Sequence, residues 1–495
     1  MKRLLVLSVC LLLTVPLFGQ EEDTGTSLTK FVGGTYQVEF SMMNNLFLGV
    51  GSRVGSMGGD YGGIYSRSES ILWNPANIGW VEQSQWTLDI SPAIMIDPGS
   101  FVDLDNEIHT AVDDGIADMK APGFTMQGDD YPAMNMNIGT KCSFGTGSFV
   151  LRGPYFNFGA ALIRPFDMSM SLLGTGTKAK IESGDGEDPA LAVTMYTTID
   201  LSVASNIHVQ GWTMGAARKI TPRWTAGFSM ERLSGMADLN GKFQINGIMV
   251  TAGNERAFNN PDDPWENSLS SSMYGQYEGH STTFKFGSTF KLNPNWGIGT
   301  VLAMAKPLKM AGDMTIKQRT LAALNLGAEG DEEILDVTSN QFDLAEPTRT
   351  VIVDNPTSKT LTLNMPSYFG LGITGKMGFF GLSLNYNQYF GEFSYEYNFV
   401  RNQGLGNEEQ VNYAQGIRLS NSIRFGLDFK IFRLGAGAMM GTMFNDNDPE
   451  SEDKSMIVPS FTLGTGFHIT RQLGVDLLLL GVPTGVGKIT LTYAM

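Results

Sequence analysis

Ser422-Ile423-Arg424-Phe425-Gly426-Leu427-Asp428-Phe429-Lys430-Ile431 alternates without a break: every odd position is apolar, and every even one is polar, charged or Gly. Successive side chains of a strand point to opposite faces, so this segment has one greasy and one polar face. Thr283-Phe284-Lys285-Phe286 and Leu382-Ser383-Leu384-Asn385-Tyr386-Asn387 repeat the pattern. A β-sandwich alternates in the same way, so strands alone leave two architectures open. The connections separate them. Tight polar turns followed by an aromatic residue or Leu recur at Thr221-Pro222-Arg223-Trp224, Asn293-Pro294-Asn295-Trp296 and Thr470-Arg471-Gln472-Leu473-Gly474. Further reversals are expected at Lys306-Pro307 and near Phe432-Arg433-Leu434-Gly435. Between them run long polar connections, over roughly 97–131, 253–278, 324–356, 401–415 and 445–455. Short turns at one end and long loops at the other mark a transmembrane antiparallel β-barrel, here with about 14 strands from residue 84 onward. Trp224 and Trp296 would sit at the lipid interface, and the segment from Gly487 to Met495 forms a last amphipathic strand.

Composition agrees. The 495 residues carry a net charge of −16, with 42% hydrophobic, 11% aromatic and only 17% charged residues. An acidic chain is a poor nucleic-acid binder, and so aromatic a chain is not disordered. Two Cys cannot frame a disulfide scaffold. After the first 20 residues no apolar run approaches the roughly 18 that a membrane helix needs. The head of the chain reads as a signal peptide over 1–19, with basic Lys2-Arg3, the apolar run Leu4 to Leu13, and Gly19 before an acidic stretch. Val9 before Cys10 argues against a lipobox.

No catalytic pattern stands out. The four His (His109, His208, His280, His468) are scattered without metal-ligand spacing. Gly49-Val50-Gly51 with Gly55 misses the dinucleotide spacing, and no P-loop or nucleophile elbow is present. The acidic run 446–453 lacks the Gly of a calcium loop and reads as a solvated external loop. The chain is therefore expected to be no enzyme, with no cofactor and no metal. Its 27 Met include Met42, Met43, Met57, Met439 and Met440, flexible apolar residues that suit a greasy site or ordinary packing.

Residues 20–83 do not read as strands. They hold Arg53, the turn Met57-Gly58-Gly59, Asp60-Tyr61-Gly62-Gly63, and then Trp73-Asn74-Pro75-Ala76-Asn77-Ile78-Gly79. Such compact, partly apolar material is most simply buried inside the barrel, as a hatch ahead of the barrel proper at 84–495. This order of Arg, Gly-Gly turn and aromatic-Asn-Pro-Ala resembles the N-terminal signature of the FadL-type outer-membrane transporters (OmpP1/FadL/TodX), including the PorV/PorQ branch. Met365-Pro366-Ser367-Tyr368-Phe369-Gly370-Leu371-Gly372 is similar to the start of a later strand in these proteins.

The resemblance implies a hatch in the lumen of an outer-membrane barrel and passive transport of long-chain fatty acids or other hydrophobic molecules. It implies an apolar pocket and a sideways exit through the wall. The alternative it implies is a PorV-like component of a protein secretion system. The partners expected are thus hydrophobic small molecules, outer-membrane lipid and, on the second reading, secretion-system proteins. The residues singled out for the hatch and its gating are Gly58, Gly59, Trp73, Asn74, Pro75 and Ala76. The glycines read as tight-turn residues before hinges, and the Trp-Asn-Pro-Ala stretch either locks the hatch or takes part in opening it.

Overall fold

The computed structural model describes residues 27–44, 51–91, 109, 113, 121, 123–139, 143–183, 193–251, 254–257, 269–319, 360–401, 409–445, 453–481 and 486–495. The expected signal peptide, most of the first and third long connections, and nearly all of the acidic run lie outside these residues. Two strands come first, β1 (Ser27–Val32) and β2 (Thr35–Asn44). After the segment 51–84 follow β3 (Gln85–Ser91), β4 (Ala133–Gly139), β5 (Ser143–Leu151), β6 (Asn157–Ser183), β7 (Val193–Thr221) and β8 (Trp224–Thr251). β9 (Asn254–Ala257) folds back on β8, and β10 (Leu269–Asn293) is again long. β11 (Trp296–Met304) and β12 (Leu308–Arg319) are two halves of one wall strand. So are β13 (Thr360–Asn364) with β14 (Ser367–Met377), and β15 (Phe380–Phe390) with β16 (Glu392–Arg401). The wall ends with β17 (Glu409–Asp428), β18 (Phe432–Asn445), β19 (Lys454–His468), β20 (Leu473–Gly481) and β21 (Val486–Ala494). Neighbours pair antiparallel, and β21 pairs with β3, so 14 wall strands close into a ring. Closure removes the two terminal edges that an open sheet of these wall strands would present.

The pleat sorts side chains as the sequence demands. Leu162, Met214, Phe228, Phe286, Phe369, Ile423, Phe425, Phe461 and Leu479 stand exposed on the outside. Thr213, Ser229, Thr289, Thr374, Ser383, Asn385 and Ser422 are buried on the inside. This is inverted relative to a soluble core, and an exposed apolar belt of this kind requires a hydrocarbon solvent. Aromatic residues cluster by the short turns: Trp86 packs on Tyr493, Phe429 on Phe432, and the exposed Trp224 donates its indole N–H to Ser288.

Three expectations about the connections are corrected. Lys306-Pro307 is not a turn but lies in the break between β11 and β12, where a proline without an N–H interrupts the ladder while the strand runs on along β10. The reversal expected near 432–435 occurs at 429–431, with Lys430 in the left-handed region at φ 70°. The connections expected at 253–278 and 401–415 are shorter, because β10 begins at Leu269 and β17 at Glu409. Strand ends beyond the roughly 9–11 residues that a bilayer needs have no lipid to face. Ser270-Ser271-Ser272 therefore shows no alternation and passes for loop.

The N-terminal region divides. Residues 51–81 run through the lumen, whereas 27–44 form strands, contrary to the strand-free reading of 20–83. β2 is wedged into the wall: it pairs in parallel with β4 and antiparallel with the upper part of β6, from Thr35↔Thr175 to Asn44↔Phe166. β1 continues this ladder along Lys178–Glu182.

Candidate functional site

The luminal segment is short turns held by polar bonds. It contains the helix α1 (Ser52–Ser56), the helix α2 (Ser70–Trp73) and a 3-10 helix, Pro75–Trp80. None is long enough to be stable alone, so the seat supplies the order. Asp60 is buried, and its carboxylate accepts the backbone N–H groups of Gly63 (2.9 Å), Ile64 (3.3 Å) and Tyr65 (2.7 Å), folding the loop on itself. Asn74 is fully buried. Its Oδ1 caps the 3-10 helix by accepting from Ala76 N–H at 3.1 Å, and its Nδ2 donates to Tyr61 O (3.1 Å) and Thr289 Oγ1 (3.2 Å) of the wall. Pro75 opens that helix at the position where its missing N–H costs nothing.

The wall accommodates the segment with glycines. A methyl at Gly287 would overlap Asn74 Oδ1, one at Gly299 the Tyr61 carbonyl, one at Gly426 the backbone of Met57, and one at Gly435 the Ser56 carbonyl. Along one side the seat is ionic. Arg53 reaches Asp428 (3.0 Å), and Arg67 reaches Asp476 (2.7 Å), which also holds Arg433 (2.7 Å). Lys488 pairs with Asp89 (2.9 Å), whose carboxylate also accepts Gly51 N–H (2.9 Å). Glu69 lies fully buried beside this network with Thr87 Oγ1 on one oxygen. Burial pushes its carboxyl up to about 7 against the pull of Arg67, with Asp89 and Asp476 adding to the rise.

Above the segment lies a cavity of about 180 Å³. Tyr61, Leu72 and Trp73 form its floor, and Leu233, Ala303, Met365, Pro366, Tyr368, Tyr389 and Phe393 much of its side. Its charges are Arg164, Lys285, Arg424 and Lys488 against Glu231, which pairs with Lys285 at 3.0 Å. Arg424 stands over the Trp73 ring, 5.9 Å from its centroid. The apolar cluster Val209, Leu233, Tyr277, Leu308, Met310 and Leu361 continues upward, and Ile163 and Met365 pack on it while also lining the cavity.

The cavity abuts a weak place in the wall. β5 pairs with β6 only from Leu151↔Phe158 to Gly147↔Leu162, and β2 resumes the ladder at Phe166. Among the described residues Ile163, Arg164 and Pro165 thus have no ladder partner on that side, and Arg164 and Pro165 also drop out of the ladder with β7. All three line the cavity.

The structure places the residues singled out from the sequence in the luminal segment, with separate tasks. Gly58 (φ 70°) and Gly59 (φ 118°) take left-handed backbone in the turn beneath Trp73, a conformation that L side chains avoid. Trp73 floors the cavity, while Asn74, Pro75 and Ala76 make the capped turn behind it. Sequence reading missed Asp60, Arg67, Glu69 and their wall partners. It also missed the seat glycines, although Gly297-Ile298-Gly299 carries the signal: small residues at alternate, inward positions of one strand.

No protein-family model and no curated protein matches the chain. Among solved structures it is similar to the CymD monoaromatic hydrocarbon channel, at 14% identity over 92% of this chain and 99% of that one, TM-score 0.47. The toluene transporter TbuX of Ralstonia pickettii is 13% identical over 90% and 98%, TM-score 0.43, and a Pseudomonas aeruginosa FadL homologue 13% over 92% and 98%, TM-score 0.44. At these values the fold of this chain stands on its own strand ladder.

Proposed function

We propose that this chain is an outer-membrane channel that passes hydrophobic molecules passively, with the luminal segment as hatch and the wall break at Ile163–Pro165 as a sideways exit. The observation that carries this is the position of the cavity, which touches the hatch at Trp73 and the unpaired wall at Arg164-Pro165 at once. A greasy solute gains nothing from a wet pore, whereas a dry pocket opening toward lipid keeps it out of water throughout. The apolar cluster above the cavity continues that path toward the long-loop end. An apolar cavity of roughly 150 Å³ holds one benzene ring, so the space observed takes a compact molecule or one part of a fatty acid. Arg164 and Arg424 favour an amphiphile with an anionic head, long-chain fatty acids included, over a bare hydrocarbon, whereas Lys488 is spent on Asp89. The geometry adds no support for a role in protein secretion.

Hatch and exit are joined in the chain. Six residues separate the end of β2 from Gly51, so withdrawal of β2 from its slot between β4 and β6 would widen the break and pull on the hatch together. The test is a disulfide between Gln37→Cys and Leu173→Cys, direct partners in that ladder. In liposomes, uptake of a fluorescent fatty acid should fall at least tenfold in the oxidised variant and recover with reductant, while equilibrium binding is kept. Full uptake with the crosslink verified refutes gating by β2. Absence of both binding and uptake in the unmodified protein refutes the transport reading itself.

A further inference from the structure

At the short-turn end the lumen holds cations without matching acids. Lys219 near the end of β7, Lys291 near the end of β10 and Lys376 near the end of β14 point inward, on the same faces as Ala217, Thr289 and Thr374, which are buried against the luminal segment. Their ammonium groups rest on aromatic rings of that segment: Lys219 and Lys291 on Trp80, 5.2 and 4.2 Å from its centroid, and Lys376 on Tyr65 at 4.8 Å. Among the described residues none of the three has a carboxylate within ion-pair distance. The turns of this end add Arg152, Arg223, Lys430 and Arg471. The side-chain carboxylates that face them are Asp60, Glu82 and Asp428; Asp60 is committed to the N–H groups of Gly63, Ile64 and Tyr65, and Asp428 is already held by Arg53 and Arg433. In a chain of net charge −16 this is a local reversal of sign. Holding Lys219 and Lys291 on one indole brings like charges within about a Debye length, which is unfavourable until an anion arrives.

We propose that this mouth is a docking site for an extended acidic segment of a protein on the short-turn side of the membrane. The spacing selects that occupant. β7, β10 and β14 are alternate strands of the wall, with β8 and β11 between them. Alternate strands lie about 10 Å apart, and carboxylates three residues apart on a chain in the polyproline II conformation, with three residues per turn and about 3.1 Å per residue, stand on one face at about that interval. A lone phosphate or a single carboxylate head can reach only part of the arc. Bilayer lipid is excluded from the inner face. The described strand ends that lead into the acidic connections lie at the opposite end, so a second copy offers no complement at this one. The proposal is independent of what the cavity holds.

The test uses fluorescein-labelled decaglutamate and the full-length protein in detergent at low ionic strength, read by anisotropy. Saturable binding is expected, falling steeply with added salt. The triple variant Lys219→Gln, Lys291→Gln, Lys376→Gln should bind at least tenfold more weakly while keeping the cavity ligand, and the corresponding Lys→Arg variant should bind as the parent does. If the triple variant does not fold, the rim substitution Lys376→Glu alone should weaken binding severalfold. Undiminished binding in the variants overturns the proposal. So does inorganic phosphate or acetate that displaces the peptide at equal charge concentration, since that describes a single-anion site.

Discussion

Replacing Asn74 by Ala should release the hatch turn while leaving the wall intact. The side chain makes three well-formed hydrogen bonds, from Ala76 N–H at 3.1 Å and to Tyr61 O at 3.1 Å and Thr289 Oγ1 at 3.2 Å, with a longer one to Ser288 O at 3.4 Å. At about 1 kcal/mol net each, the three give about 3 kcal/mol. The stranded Tyr61 carbonyl and Ala76 N–H add a desolvation penalty of about 1–2 kcal/mol unless water enters. A loss of about 4 kcal/mol of docking free energy raises the undocked fraction by roughly a thousandfold. Hydrogen exchange over residues 57–81 is the assay. Protection of Asn77 and Val81, whose N–H groups bond within the turn, should drop by two to three orders of magnitude, with β7, β8 and β10 unchanged. Asn74→Asp keeps the acceptor but loses the Nδ2 donor and buries a charge, so it should do no better. The reasoning is refuted if protection in the turn changes less than threefold, or if hatch and wall lose protection together.

Three further outcomes are expected. Gly299→Ala places a methyl into the Tyr61 carbonyl and should raise single-channel conductance in planar bilayers, since β11 tolerates alanine but the docked hatch does not; unchanged conductance would mean that the seat yields. Arg164→Gln should weaken binding of a fatty acid to the cavity about tenfold and leave toluene unaffected, measured by quenching of tryptophan fluorescence. The hatch should dock more weakly as pH rises. The docked Glu69 carboxyl sits near 7, above its ordinary value of 4.5, so its contribution is complete below about pH 4.5, is lost as pH climbs to 7, and above that the docked state carries a buried charge at a cost of about 3 kcal/mol. Glu69→Gln should abolish that loss, giving slower hatch exchange than the parent at pH 8 but not at pH 5.

The barrel was legible because two independent signals agree. Ile423 and Phe425 alternate with Arg424 and Gly426 on one strand, and the turns at 222–223, 294–295 and 469–472 all fall at one end. The hatch was legible as buried material but not in its extent. Thr35, Gln37 and Glu39 alternate with the buried Tyr36 and Val38, a five-residue alternation too brief to separate from a turn-rich stretch. A parallel pairing with β4, nearly a hundred residues away, leaves no local trace at all. The ionic seat was hidden for a related reason. Asp428, Arg433 and Asp476 occupy ordinary inward positions, where polar residues are expected in any barrel. Only closure of the ring brings them to Arg53 and Arg67.

That the seat is polar bears on whether the hatch can leave it. A hatch packed by large apolar side chains would expose that surface to water on release, at about 25 cal/mol per Å². The faces of this hatch that meet the wall at Gly299, Gly426 and Gly435 are backbone, the one at Gly287 is the Asn74 amide, and many of its other ties are hydrogen bonds and ion pairs. Water can replace each of these bonds once it enters, so each contributes only about 1 kcal/mol net against the solvated state. The Arg53 and Arg67 pairs, partly desolvated when docked, recover hydration when free. The exceptions are two apolar clusters: Val54, Tyr61 and Trp73 pack with Val301 on β11, and Ile71, Leu72 and Ile78 pack with Val150 and Ala161 on β5 and β6. The second lies on the two strands that bound the wall break, so it ties the hatch to the place where the proposed exit opens. Leu72→Ala should therefore loosen the hatch and the β5–β6 seam together, with raised exchange at Val150 and Ala161. A change confined to the hatch would show that exit and hatch move independently.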